Sequence, residues 1–215
     1  MKLHYVVGLA MSTSILFGGF AQSEETAAAP AVPMTDAQKA ALHKTVETCG
    51  TCHGVNGRSV SPTFPNLAAQ SAPYIEAQLH AFKDQSRADP DAQAYMWGMA
   101  AQLSDAQISE LAGYFSKQPP PAAGKSGGPA AIARGKQVFE EGVPARQIPP
   151  CASCHGAHGE GMATFPRLAG QHAPYLLKQL LVIQNALRNA PVMHGVVKEL
   201  TNDQIQAVVL YLESI

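Results

Sequence analysis

Apolar positions recur at helical spacing in four stretches of the chain. Residues 71–85 place Ile75, Leu79 and Phe82 on one face, and residues 172–187 do the same with Leu176, Leu180 and Ile183. Ser104-x-x-Gln107 and Thr201-x-x-Gln204 have the form of capping boxes. The helices they open turn Ile108, Leu111 and Phe115, or Ile205, Val208 and Leu212, inward. Thr35–Thr48 and Ala130–Glu140 read as two further helices. No stretch alternates apolar and polar residues as a strand would. The pattern predicts an all-α fold.

These elements come in pairs because one unit is written twice. Cys49-Gly-Thr-Cys52-His53-Gly54 returns as Cys151-Ala-Ser-Cys154-His155-Gly156, and Thr63-Phe64-Pro65-Asn66-Leu67-Ala68 as Thr164-Phe165-Pro166-Arg167-Leu168-Ala169. Gln70, Tyr74 and Gln78 return as Gln171, Tyr175 and Gln179, and Met96-Trp97-Gly98 as Met193-His194-Gly195. The offset drifts from 102 at the cysteines to 97 at the methionines, so the second copy has lost five residues in loops. The expected organisation is a signal peptide over residues 1–23, a flexible leader over 24–34, a first domain over 35–118, a Pro/Gly-rich linker with nothing to pack over 119–129, and a second domain over 130–215. The signal reading rests on Lys2, the mostly apolar run from Val6 to Phe20, and Ala21-Gln22-Ser23 as a small-x-small cleavage site.

The chain has 215 residues with 15 Lys+Arg against 16 Asp+Glu, a balance that excludes a strongly basic nucleic-acid binder. Residues 24–118 carry six basic and ten acidic side chains, net −4, whereas 119–215 carry eight and six, net +2. Such a dipole orients encounters with charged partners. Four cysteines are too few for a disulfide scaffold in a chain of this length. Their spacing carries the information.

Residues three apart share a helix face, so Cys49 and Cys52 present two thiols to one edge, with His53 directly after them. This is the spacing for covalent haem attachment through two thioethers with the histidine as proximal iron ligand, and Cys151, Cys154 and His155 repeat it. Zinc would lack a compact tetrahedral set in each unit, and a redox dithiol would want a βαβ context. The distal ligand is expected to be Met96 in the first unit and Met193 in the second, because only these two methionines match in register; a thioether suits haem iron. Met99 and Met162 have no counterpart, and neither do His80, His158, His172 and His194, of which His194 is the rival beside Met193. Arg58, Arg167, Tyr74, Tyr175, Gln70 and Gln171 are candidates for holding haem propionates.

Over roughly residues 40–215 the chain resembles the dihaem cytochrome c4 family of class I c-type cytochromes. The resemblance rests on CGTCHGVNGRS, FPNLAAQSAPYIEAQL and MWGMAAQLSDAQI in the first half, and CASCHGAHGEG, FPRLAGQHAPYLLKQL and MHGVVKELTNDQI in the second. It implies two tandem class I cytochrome c domains, each wrapped around one covalently bound haem c, with Cys49, Cys52, Cys151 and Cys154 as attachment points. It implies His53 with Met96, and His155 with Met193, as axial iron ligands. It further implies a periplasmic electron carrier working between a respiratory donor and a terminal oxidase or similar acceptor. That reading expects no small-molecule substrate and no nucleic acid, and leaves room for peripheral membrane association. The competing functions are an electron-transfer subunit of a dehydrogenase or oxidase complex, and a dihaem peroxidase or sulfur-compound oxidase with one open iron. The sequence departs from the pattern at Ala69, where the second half has Gly170, and in a longer loop between Leu79 and Met96.

Overall fold

The computed structural model describes Met1, Lys2, His4 and residues 33–215. The expected signal peptide apart from Met1, Lys2 and His4, and the leader apart from Pro33 and Met34, lie outside the described residues. Among the described residues nine α-helices follow one another: α1 (Asp36–His53), α2 (Ala72–Lys83), α3 (Trp97–Ala100), α4 (Asp105–Ser116), α5 (Pro129–Glu141), α6 (Ala152–His155), α7 (Ala173–Gln184), α8 (Pro191–Val197) and α9 (Asn202–Glu213). Among the described residues there is no strand, only two isolated bridges, Val143 with Ile148 and Met162 with Phe165.

The capping boxes form as spacing predicts. Ser104 and Thr201 each accept from the backbone N–H three residues on, and Gln107 and Gln204 reach back to the cap. Thr35 and Gln38 build a third at the start of α1. In the first half Ile75, Leu111, Ala112 and Phe115 bury their side chains with Val46. The second core is larger: Phe139 of α5, Ile183 of α7, and Ile205, Val208 and Leu212 of α9 close around one another. Gly135 lets α5 approach α9, since a Cβ there would lie 2.0 Å from the Ala207 carbonyl oxygen.

The halves differ where the chain enters the cysteine motif. In the first, α1 runs unbroken through Cys49 and Cys52 to His53 and ends at Gly54, whose φ is 77°. In the second, α5 stops at Glu141, and Pro149-Pro150 stands before Cys151. Proline removes a donor and biases the residue before it away from helix, so the motif restarts as the short α6.

The expectation that residues 119–129 have nothing to pack is corrected. Gly124 donates its N–H to the Glu213 carbonyl at 2.7 Å, Gly127 lies against Leu210, and Pro121 lies against Gly170. Pro129 already belongs to α5. The segment therefore runs along α9.

Ala69 and Gly170 occupy the same left-handed conformation, with φ of 56° and 70°. Each N–H donates to the carbonyl of the helix that closes its half, Phe115 or Leu212. An L-residue with a Cβ is strained there. Ala69→Gly is therefore expected to stabilise the protein by about 1 kcal/mol, read as a higher denaturant midpoint with unchanged slope.

Candidate haem sites

The segments Phe64–Leu67 and Phe165–Leu168 orient the two motif histidines. His53 Nδ1 lies 2.9 Å from the Pro65 carbonyl oxygen, and His155 Nδ1 lies 2.9 Å from that of Pro166. A carbonyl only accepts, so Nδ1 carries the proton and Nε2 presents its lone pair. The Phe64 ring packs edge-on against His53 at 6.1 Å, and Phe165 does the same for His155 at 6.1 Å. Both histidines are buried. Burial lowers their pKa, with the proline carbonyls pulling partly the other way, so both imidazoles are held in the neutral form that binds metal.

A cavity of about 510 Å³ is lined by Cys49, His53 and Met96 from the first half and by His155 and Met193 from the second. Its walls are largely apolar, with Ile75, Leu79, Phe82 and Phe115 facing Leu176, Leu180 and Leu212. Cys52 is exposed, and Cys151 and Cys154 are half-buried; all four cysteines are unpaired. Burial pushes the Cys49 thiol up, and the Cys151 thiol to about 11, so neither is a ready thiolate.

The two methionines are presented differently. From Gln78/Gln179 to Pro90/Pro191 the repeat offset stays at 101; it then falls to 97 at Met96/Met193. The four extra residues of the first half lie there, in a π-helical turn over Ala92–Met96. π-turns of this kind are concentrated at functional sites. Trp97 anchors the turn by donating its indole N–H to the Arg87 carbonyl at 2.9 Å, and Tyr95 packs on Phe64 at 5.4 Å. Met193 instead sits on α8, which starts with Pro191 at its first turn. The rival His194 turns away: its Nδ1 lies 2.9 Å from the Ile183 carbonyl oxygen. Met99, Met162, His80 and His158 are exposed, and His172 reaches the Ser59 carbonyl oxygen at 3.0 Å.

Sequence reasoning missed a polar cluster in the cavity wall. Arg87 and Arg188 are matching positions in the repeat, and both are buried. Arg87 donates to Asp89 at 2.9 Å, Gln78 at 2.7 Å and Gln179 at 2.9 Å. Arg188 donates to Gln179 at 2.6 Å, Tyr74 at 3.0 Å and Gln78 at 2.9 Å. The constant offset of 101 was the available signal. Of the arginines singled out from the sequence, Arg167 lines the cavity, whereas Arg58 donates to the Pro119 carbonyl at 3.0 Å. Arg87 and Asp89 are 9% and 1% exposed, so Asp89→Ala strands a buried cation. The expected loss is about 3 kcal/mol of unfolding free energy, measured by denaturant titration.

The residues fit the cofactor that their motifs imply. His155 Nε2 is buried without a hydrogen-bond partner, as are Arg167 Nε and Gln179 Nε2, and all three residues line the cavity. A neutral imidazole nitrogen matches iron, and the two cationic guanidiniums against one carboxylate match acidic groups on a cofactor rim.

Comparison with known proteins gives the same answer. The cytochrome c family model matches residues 37–118 and again 132–215. The chain is 41% identical to cytochrome c-552 of Acidithiobacillus ferridurans over 87% of this chain and 81% of that one. The cytochrome c4 structure from Acidithiobacillus ferrooxidans superimposes with a TM-score of 0.74 at 42% identity, covering 79% of this chain and 99% of that chain. A thiosulfate dehydrogenase structure from Marichromatium purpuratum superimposes with a TM-score of 0.69 at 28% identity, covering 77% of this chain and 36% of that one. Two tandem matches, two Cys-x-x-Cys-His motifs and this fold identify the chain as a member of the cytochrome c family, of the dihaem cytochrome c4 type, carrying two covalently bound haem c groups.

Proposed function

We propose that the protein carries electrons one at a time between a respiratory donor and a terminal oxidase or similar acceptor in the periplasm, using two iron sites closed on both faces. Cys49 and Cys52, and Cys151 and Cys154, form the thioethers. His53 and Met96 ligate one iron, and His155 and Met193 the other. The domains span 35–118 and 130–215. The observation that carries this reading is the duplicated constellation: in each half a neutral histidine, fixed through Nδ1, faces the same cavity as a register-matched methionine.

Bound haem c supplies a one-electron ferric/ferrous couple. The protein's residues keep that couple dry and rigid. Phe64, Phe165 and the leucines of α2 and α7 exclude water, and the proline carbonyls hold the imidazoles. Arg87, Arg188 and Arg167 offer donors to haem propionates at the contact between the halves. No helix among the described residues is long and apolar enough to cross a membrane. The periplasmic assignment draws on the expected signal peptide at residues 1–23.

The test is optical. The oxidised protein should show the far-red sulfur-to-iron charge-transfer band, and the reduced protein should fail to bind carbon monoxide. Ready binding at one iron would overturn the carrier reading in favour of a peroxidase or sulfur-compound oxidase. A second reading, an electron-transfer subunit of a larger enzyme, is favoured by the likeness to the thiosulfate dehydrogenase structure, of which this fold covers about a third. Co-purification with a dehydrogenase at fixed stoichiometry would establish it.

A further inference from the structure

The two halves exchange a matched pair of hydrogen-bonded glutamines. Gln171 of the second half accepts the Asn66 N–H at 2.8 Å and donates to the Asn66 carbonyl at 3.0 Å. Gln70 of the first half accepts the Arg167 N–H at 2.7 Å and donates to the Arg167 carbonyl at 3.0 Å. Each glutamine oxygen also accepts the next backbone N–H of its own chain segment, that of His172 or Ser71. With donors converging on the oxygen and an acceptor at the nitrogen, neither amide can be flipped. Gln70, Gln171, Asn66, His53 and His155 are all buried.

The peptide group held by each glutamine is the one that holds the histidine. The Pro65 carbonyl and the Asn66 N–H belong to one peptide unit. His53 Nδ1–H donates into one side of it, and the other side donates to Gln171. The Pro166–Arg167 unit stands in the same way between His155 and Gln70. A hydrogen bond accepted from a peptide N–H polarises that peptide and makes its carbonyl a stronger acceptor, an effect largest in a dry interior. A stronger acceptor at Nδ1–H makes the imidazole a better electron donor through Nε2, and so favours oxidised iron.

We propose that Gln171 and Gln70 are reciprocal positioning residues, each controlling the proximal histidine of the opposite half through one shared peptide group. This rests on His53 and His155 being the proximal ligands. Its consequence is that contact between the halves sets both reduction potentials, so that loosening the contact raises both.

The test uses the full-length holoprotein. Potentials of the two irons are separated by the hyperfine-shifted proton signals of each haem, and exchange of the Asn66 and Arg167 amides is followed in the reduced, diamagnetic state. Gln171→Leu should raise the potential of the iron bound to His53, leave that bound to His155 unchanged, and speed Asn66 amide exchange about tenfold. Gln70→Leu should do the mirror image. Gln171→Glu, which keeps an acceptor oxygen, should move the same iron in the opposite direction, and it stands in if the leucine variant fails to fold. A shift confined to the iron of the glutamine's own half, equal shifts of both, or faster amide exchange with no shift in potential would each overturn the proposal. If the His53 ring protons of the oxidised wild type show no hyperfine shift, the ligand assignment fails, and the proposal with it.

Discussion

Met193→Ala is expected to remove about half of the far-red sulfur-to-iron absorption and to let the reduced protein bind carbon monoxide at one iron, with Met96→Ala removing the rest when the two are combined. The size of the effect follows from the surroundings of each thioether. Beside Met193, His194 is committed to the Ile183 carbonyl, and the α8 backbone is tied down by the bond from Gln184 to the Val197 carbonyl. His194 is therefore not free to take the position that alanine leaves. Beside Met96, the π-helical turn is pinned by Trp97 and Arg87, and the next methionine, Met99, is 46% exposed on the outside of the fold. Each variant should also lower the potential of its own iron, because thioether ligation raises it. Persistence of the band at full intensity in Met96→Ala, or of half of it in the double variant, would mean that Met99 turns inward, and would make Met96 dispensable.

Gly135→Val should cost about 3 kcal/mol and unfold the second half ahead of the first. A Cβ at this position meets backbone: it would lie 2.0 Å from the Ala207 oxygen, 2.5 Å from the Ala207 carbonyl carbon and 2.8 Å from the Tyr211 Cβ. Backbone cannot rotate aside as a side chain can, so α5 must move off α9, and Phe139, which is fully buried, loses its neighbours. Gly113→Ala in α4 is the control. Nothing lies within 4 Å of a Cβ there, and replacing a helical glycine should stabilise by roughly 0.5–1 kcal/mol. Denaturant unfolding followed by haem absorbance and by helical signal separates the two outcomes. Equal behaviour of both variants would show that α5 and α9 are not the rigid pair their packing indicates.

Much of this protein is legible along the chain because its signals are local. A capping box needs two residues three apart, and Ser104/Gln107 and Thr201/Gln204 behave as their spacing predicts. A haem-attachment motif needs five consecutive residues, and duplication made each half a check on the other. The less legible parts depend on partners far away in sequence. Gln70 and Gln171 were read as propionate candidates, yet their side chains bond the backbone of residues 97 and 105 positions away. Arg58 and Arg167 both read as propionate candidates, yet the Arg58 guanidinium donates to the Pro119 carbonyl, 61 residues on. The stretch 119–129 read as unpacked because proline and glycine bury little of their own, while its backbone found Glu213 on α9.

The sequence by itself determined the duplication, the helical periods, the cap positions and the chemistry of the cofactor, since each is encoded within a turn or two of chain. Only the tertiary structure decided which buried polar group satisfies which. It placed Arg87 and Arg188 together, crossed the two glutamines between the halves, and wound the four extra residues before Met96 into a π-helical turn. The physical reason is that a buried donor or acceptor must find a partner at a cost of about 1–3 kcal/mol if it fails, while nothing in its own neighbourhood of sequence specifies where that partner lies.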